Sequence, residues 1–226
     1  MDNSLKLLKV NTAPGIDGIS NRFIKKFWQL FRKPLFDYCV TCFQKGNLTD
    51  IFRRAKIRLI PKKGDCSQIK NWRPISLLNC FYKILSRAIA QRIKKYMDKL
   101  CSVGQKGYSS KHQCQEVLIN LIDEIAETKY HQKRGALLSL DIRKAFDTIS
   151  HDYLNKVYKF FNFGDYIIAW LNLIGTNRQA CIILEDESLT EFLISNAAMR
   201  RETQSLPIYL TLDTKYYCSK SNFLYR

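Results

Sequence analysis

Residues 136–141, ALLSLD, form a short apolar run that follows Gly135 and stops on a carboxylate. The run is too short for a helix and reads as a strand covered on both faces. Such a strand needs a sheet beside it and helices over it. The rest of the chain offers both. AKIRLIP (55–61) sets Ile57 and Leu59 against Lys56, Arg58 and Ile60, a strand pattern that stops at Pro61. CIIL and SLTEFLIS pair as a hairpin across the acidic turn Glu185-Asp186-Glu187. Helical spacing runs from an N-cap at Ser20 to about Gln44, with Gly46 as its end and Pro34 expected to kink or split it. Further helices are expected over about 79–100, 113–130, 151–162 and 165–175. Loops fall at 11–20, punctuated by Pro14, Gly15 and Gly18, and at the basic stretch 62–74. The fold class is therefore α+β, helix-rich with a small sheet. From about Arg200 no pattern emerges.

The net charge of +17 favours a polyanionic partner, either nucleic acid or an anionic membrane surface. No stretch approaches about 18 uninterrupted apolar residues, so no spanning helix is expected. MDNSLKLLKV has no apolar core long enough for a signal peptide. With eight scattered cysteines, this points to reduced thiols in an intracellular compartment. Cys39 and Cys42 have the spacing of a zinc half-site or a redox pair. No second pair suits zinc, since His112 and Cys114 are wrongly spaced. Burial on one apolar helix is the expectation for both.

Asp141 carries the chemistry if any residue does. A carboxylate at the end of an apolar strand is costly to desolvate unless something neutralises it. Magnesium does so well, and two-metal phosphoryl transfer uses a carboxylate on rigid backbone for this purpose. Capping a short following helix is the other reading, and spacing alone separates them poorly.

The neighbouring motifs add context. LIPKKGD (59–65), NWRPISLLNCFYKILSRAI (71–89), GQKGY (104–108) and SLDIRKAFDTISHDYL (139–154) occur in that order, after APGIDGISNRFIKKFW (13–28). Together they resemble the reverse transcriptase domain of non-LTR (LINE-like) retrotransposons over about residues 10–195. The resemblance implies a right-hand polymerase, with fingers and connecting helices over 1–135 and part of a palm over 136–226. The tail 200–226 is degenerate, and the small sheet carries the catalytic aspartate.

In that reading Asp141 is the first catalytic carboxylate and binds Mg2+, with the Ile142 carbonyl facing the same site. Phe146 would exclude a ribose 2′-hydroxyl, and Asp147 would orient the local turn. Arg73 and Lys62 or Lys63 would contact the incoming deoxynucleoside triphosphate. RNA template and DNA primer are the implied partners, no membrane is implied, and nuclear residence is a family expectation.

Elementary chemistry agrees with these roles. Arginine offers a bidentate fork to phosphate oxygens and lysine a point charge. Arg53, Arg54, Lys56, Arg58, Lys62 and Lys63 fall within eleven residues without an intervening acid, a cluster suited to phosphate backbones. Trp72, Tyr82 and Tyr108 could stack on bases, although half-buried packing is the commoner role for each.

The family pattern then fails. Two-metal chemistry needs a second acidic element, and no Asp-Asp pair occurs anywhere in the chain; Asp213 stands alone. Where the family shows Arg-Gln-Gly-Asp-Pro, AMRRETQSLPIYL (198–210) keeps Arg200 and Pro207 but has Glu202 in place of the glycine. The expectation is a truncated or decayed copy, incomplete at its C-terminus, with little polymerase activity. A non-catalytic RNA- or DNA-binding module derived from such a domain is the alternative.

Overall fold

Ser20 opens the helical stretch read from the sequence over about 20–44. Its Oγ accepts from the Phe23 N–H at 3.2 Å, capping α2 (Asn21–Lys26). In the computed structural model, residues 1–100, 114–136, 149–184, 188–191 and 193–195 are described. The helix expected over 20–44 is broken, but at Phe27 rather than at Pro34. Phe27 leaves helical geometry at φ −105°, ψ 22°, and α3 (Trp28–Lys45) continues through Pro34. The break points Trp28 into the core, where its Nε1 donates to Asp2 Oδ1 at 2.7 Å. Asp2 belongs to a short helix that the sequence pattern did not reveal, α1 (Asp2–Lys6). Gly46 ends α3 in the left-handed region, at φ 65°.

Cys39 and Cys42 are both buried on α3, as expected of packing residues. Burial and the neighbouring Cys42 push the Cys39 thiol up to about 12, which leaves it protonated. Among the described residues no three His, Cys, Asp or Glu side chains gather into a metal site.

After α4 (Asp50–Arg53), the strand expected at 55–61 forms as β1 (Arg54–Pro61). The expectation of a loop throughout 62–74 needs correction. A 3-10 turn occupies Ile69–Asn71, and β2 (Trp72–Leu78) pairs antiparallel with β1. Pro74 disguised this strand, because proline removes a ladder donor. It is tolerated here because β2 lies at the sheet edge. The sheet order is β2-β1-β3-β4, with β3 (Arg178–Ile182) parallel to β1 and β4 (Leu193–Ser195) antiparallel to β3. The hairpin expected in this region is thus present, with an added Ile183–Leu189 bridge. The strand expected at 136–141 lies outside the described residues.

The helix α5 (Cys80–Leu100) runs through the core on Ile84, Leu85, Ile89 and Ile93. Tyr96, three residues after Ile93, is exposed. α6 (Cys114–Tyr130), α7 (His151–Phe160) and α8 (Asp165–Gly175) occupy the helical stretches read from the sequence. Two devices fix α5. Tyr82 is buried and its hydroxyl donates to the Ile174 carbonyl on α8 at 2.7 Å, so it packs rather than stacks on a base. At the other end, Asn79 Nδ2 donates to the Ile51 carbonyl at 2.6 Å, while Gly15 lies directly against the Asn79 backbone. Tyr82→Phe leaves a buried carbonyl without that donor and is expected to cost about 1–3 kcal/mol, read as a lower urea midpoint.

No helix among the described residues is long and apolar enough to cross a membrane.

Candidate nucleic-acid and nucleotide interface

The β1–β2 pair sorts its side chains by register. Ala55 faces Leu78 and Ile57 faces Ser76 on one side; Ala55, Ile57 and Leu78 there are buried. The opposite side carries Lys56 across from Leu77, Arg58 across from Ile75 and Ile60 across from Arg73. Alternation therefore sends Ala55, Ile57 and Leu78 inward and gathers Arg54, Lys56, Arg58 and Arg73 on the other face, beside Ile60, Ile75 and Leu77. Arg58 and Arg73 are diagonal neighbours, within reach of one extended ligand.

Beyond β1 the chain makes a built loop. The Lys62 N–H donates to the Asn71 carbonyl at 2.7 Å and closes the hairpin. Asp65 accepts from Ser67 Oγ at 2.6 Å and from the Ser67 N–H at 2.9 Å. These bonds, the hydroxyl's first, hold its carboxyl below the usual range. The loop's own acid is thus turned toward Ser67, and no ion pair among the described residues involves Lys62, Lys63 or Arg73. Trp72, a second candidate for stacking, is half-buried with its Nε1 donating to the Cys66 carbonyl at 2.8 Å. Lys62, Lys63 and Arg73 are all exposed, and Lys62 Nζ donates to the Lys70 carbonyl at 3.0 Å.

The six-residue basic cluster divides. Arg53 pairs with Asp50 and donates to Asn47 Oδ1 at 3.0 Å; Arg54 lies 3.8 Å from Asp50 and donates to Gln179 Oε1 at 2.9 Å. Asp50 lies just before the window and offsets its first two arginines, which a count over 53–63 misses. These two brace α4 and β3. Near Lys56 and Lys83 lies Asp17. Burial pushes its carboxyl above the usual range, against the Ile19 N–H at 3.0 Å and the two lysines.

Asp141, Ile142, Phe146 and Tyr108 lie outside the described residues. The structure thus brings together Lys56, Arg58 and Arg73, with Lys62 and Lys63 on the adjoining loop. It assigns roles that the sequence reading missed to Asn79 and Gly15. The signal was available in the Pro-Gly loop, whose glycine marks a close backbone approach.

The sequence that builds this hairpin and the rest of the chain has counterparts among known proteins. The model of the reverse transcriptase (RNA-dependent DNA polymerase) family matches residues 60–198. The chain belongs to the reverse transcriptase family. Its relatives place it with the non-LTR retrotransposons. It is 32% identical over 204 residues to the transposon TX1 uncharacterized 149 kDa protein of Xenopus laevis, covering 89% of this chain and 15% of that protein. It is 31% identical over 143 residues to the retrovirus-related Pol polyprotein from the type-1 retrotransposable element R2 of Popillia japonica, covering 62% of this chain and 19% of the relative. It is 27% identical over 156 residues to the RNA-directed DNA polymerase from the mobile element jockey of Drosophila melanogaster, covering 66% and 17%. This reverse transcriptase chain thus spans less than a fifth of the length of those relatives. The family match begins inside β1 and takes in Lys62, Lys63, Arg73 and Asp141.

Proposed function

We propose that the chain is the fingers and first palm portion of an RNA-directed DNA polymerase, holding a primed RNA template and presenting a deoxynucleoside triphosphate. The observation that carries this reading is the β1–β2 hairpin. It sets Arg58 and Arg73 side by side and Lys62 and Lys63 just beyond, within the stretch that matches the family. Triphosphate oxygens are met by a guanidinium fork and by ammonium charges. Lys56 and Arg58 on the same face suit the template or primer backbone. In chain order the fingers span 1–135 and the partial palm 136–226, although one sheet joins the two through the β1–β3 pairing.

Asp141, with the Ile142 carbonyl, would hold Mg2+, which supplies charge neutralisation at the reacting phosphate when bound. Phe146 would bar the ribose 2′-hydroxyl by shape. The absence of an Asp-Asp pair from the chain favours a second reading, a nucleic-acid-binding module without turnover.

Incubation with primed RNA template, Mg2+ and deoxynucleotides separates the two. The expected result is tight, salt-sensitive binding with little extension, any residual extension vanishing in Asp141→Asn while binding holds. Clear template-dependent extension by the unaltered chain would refute the inactivity assigned to it. Loss of binding in Asp141→Asn would remove that residue from a purely catalytic role.

A further inference from the structure

An open cleft of about 540 Å3 lies between the N-terminal segment, the end of β2 and α5. Its walls carry Lys9, Lys83 and Arg87, and no Asp or Glu among the described residues. Two buried polar atoms in these walls, Ser86 Oγ and Arg87 Nη1, have no hydrogen-bond partner among the described residues. Ser86 is only 2% exposed, so its hydroxyl loses water without gaining a protein partner. A guanidinium left in that condition calls for an anion. Burial pushes Arg87 below the ordinary arginine value, as it does for a cation without a counter-charge.

The opposite wall is held rigid. Asn21 Nδ2 donates to the Lys9 carbonyl at 2.9 Å and to Thr12 Oγ1 at 2.7 Å, fixing the segment that carries Lys9. The Lys9 ammonium itself has no bonded acceptor among the described residues and is exposed. Lys83 also feels Asp17, so the cleft's net charge rests chiefly on Lys9 and Arg87.

Position narrows the choice of anion. Leu77 lines the cleft and stands opposite Lys56, on the same face of the hairpin as Arg58 and Arg73. The cleft therefore continues the basic face across β2 onto α5. The geometry points to a second phosphate site. The Lys9–Ser86–Arg87 cleft takes one backbone phosphodiester of a single nucleic-acid strand that leaves the hairpin face. This rests on the reading of the hairpin as a nucleic-acid surface.

Fluorescence anisotropy of a labelled oligouridylate, read across a salt series, tests it with the full chain, Lys9→Gln, Arg87→Gln and Lys56→Gln. Loss of one charged phosphate contact is expected to weaken binding about tenfold. The slope of log K against log salt should become shallower by about 0.7. Lys9→Gln should do this with an unchanged melting midpoint, and it alone decides the matter if Arg87→Gln unfolds. Full affinity and slope in Lys9→Gln, beside a weakened Lys56→Gln, overturns the cleft and leaves the hairpin reading intact. Salt-independent binding by the unaltered chain overturns both. If Lys9→Gln instead loses only inorganic phosphate or deoxynucleotide and keeps the oligouridylate slope, the cleft serves a free phosphate and the strand assignment falls.

Discussion

Gly15→Ala is expected to destabilise the chain by about 3 kcal/mol, the upper end for overpacking. A Cβ at this position would meet the side-chain oxygen of Asn79 and would stand 2.5 Å from its backbone nitrogen and 2.7 Å from its Cα. The last two atoms belong to the residue that leads into α5, so relief requires moving the helix or the loop. Asn79 is 2% exposed and is tied to the Ile51 carbonyl, which removes a side-chain escape. Gly18 offers the contrast. It sits at φ +70° with nothing within 4 Å of an added methyl, so Gly18→Ala carries only backbone strain, about 1 kcal/mol. Urea midpoints of the two variants, measured side by side, check the argument. Equal losses would mean that the loop's backbone angles, and not its seat on Asn79, determine stability.

The second large effect concerns ligand affinity. The double substitution Lys63→Gln with Arg73→Gln is expected to lower deoxynucleoside triphosphate affinity by at least about a hundredfold, since each charge-assisted contact is worth about 1.5–3 kcal/mol. Both side chains are exposed and make no ion pair among the described residues, so stability should hold within about 0.5 kcal/mol. Arg53→Gln should behave oppositely. Its guanidinium is engaged by Asp50 and Asn47, and its side chain is 13% exposed. It should lose stability and leave triphosphate affinity nearly unchanged. Titration of Mg-deoxynucleotide against intrinsic fluorescence, paired with a melting curve, reads both quantities. An Arg53 effect on affinity equal to that of the double variant would dissolve the distinction between the braced and the open halves of the basic cluster.

Much of this was legible from residue patterns. The period-two alternation of Ile57 and Leu59 against Lys56 and Arg58 gave β1, and the Ile84–Ile93 spacing gave α5, because burial on one face imposes those periods. What was not legible depended on tertiary partners. β2 was hidden by Pro74, which only an edge position permits. The break at Phe27, in place of Pro34, follows from Trp28 reaching Asp2, a contact set by a helix too short to leave a periodic pattern. Charge counting over 53–63 overstated the free positive charge, because Asp50 lies one turn upstream. At the site, the family resemblance implied Arg73 and Lys62 or Lys63 as triphosphate contacts, but only the strand register shows that Arg73 and Arg58 adjoin. The cleft under Lys9 and Arg87 is assembled from segments more than fifty residues apart, which no local pattern records.

The most direct measurement uses a chain-terminated DNA primer on an RNA template with Mg2+, so that no extension is needed. Affinity of the chain for this duplex is read with each of the four deoxynucleotides in turn. A chain that holds a primed template and the next nucleotide together should bind more tightly with the templated deoxynucleotide alone. Lys63→Gln with Arg73→Gln should erase that gain. Identical affinity with all four deoxynucleotides, or with none added, would contradict the account.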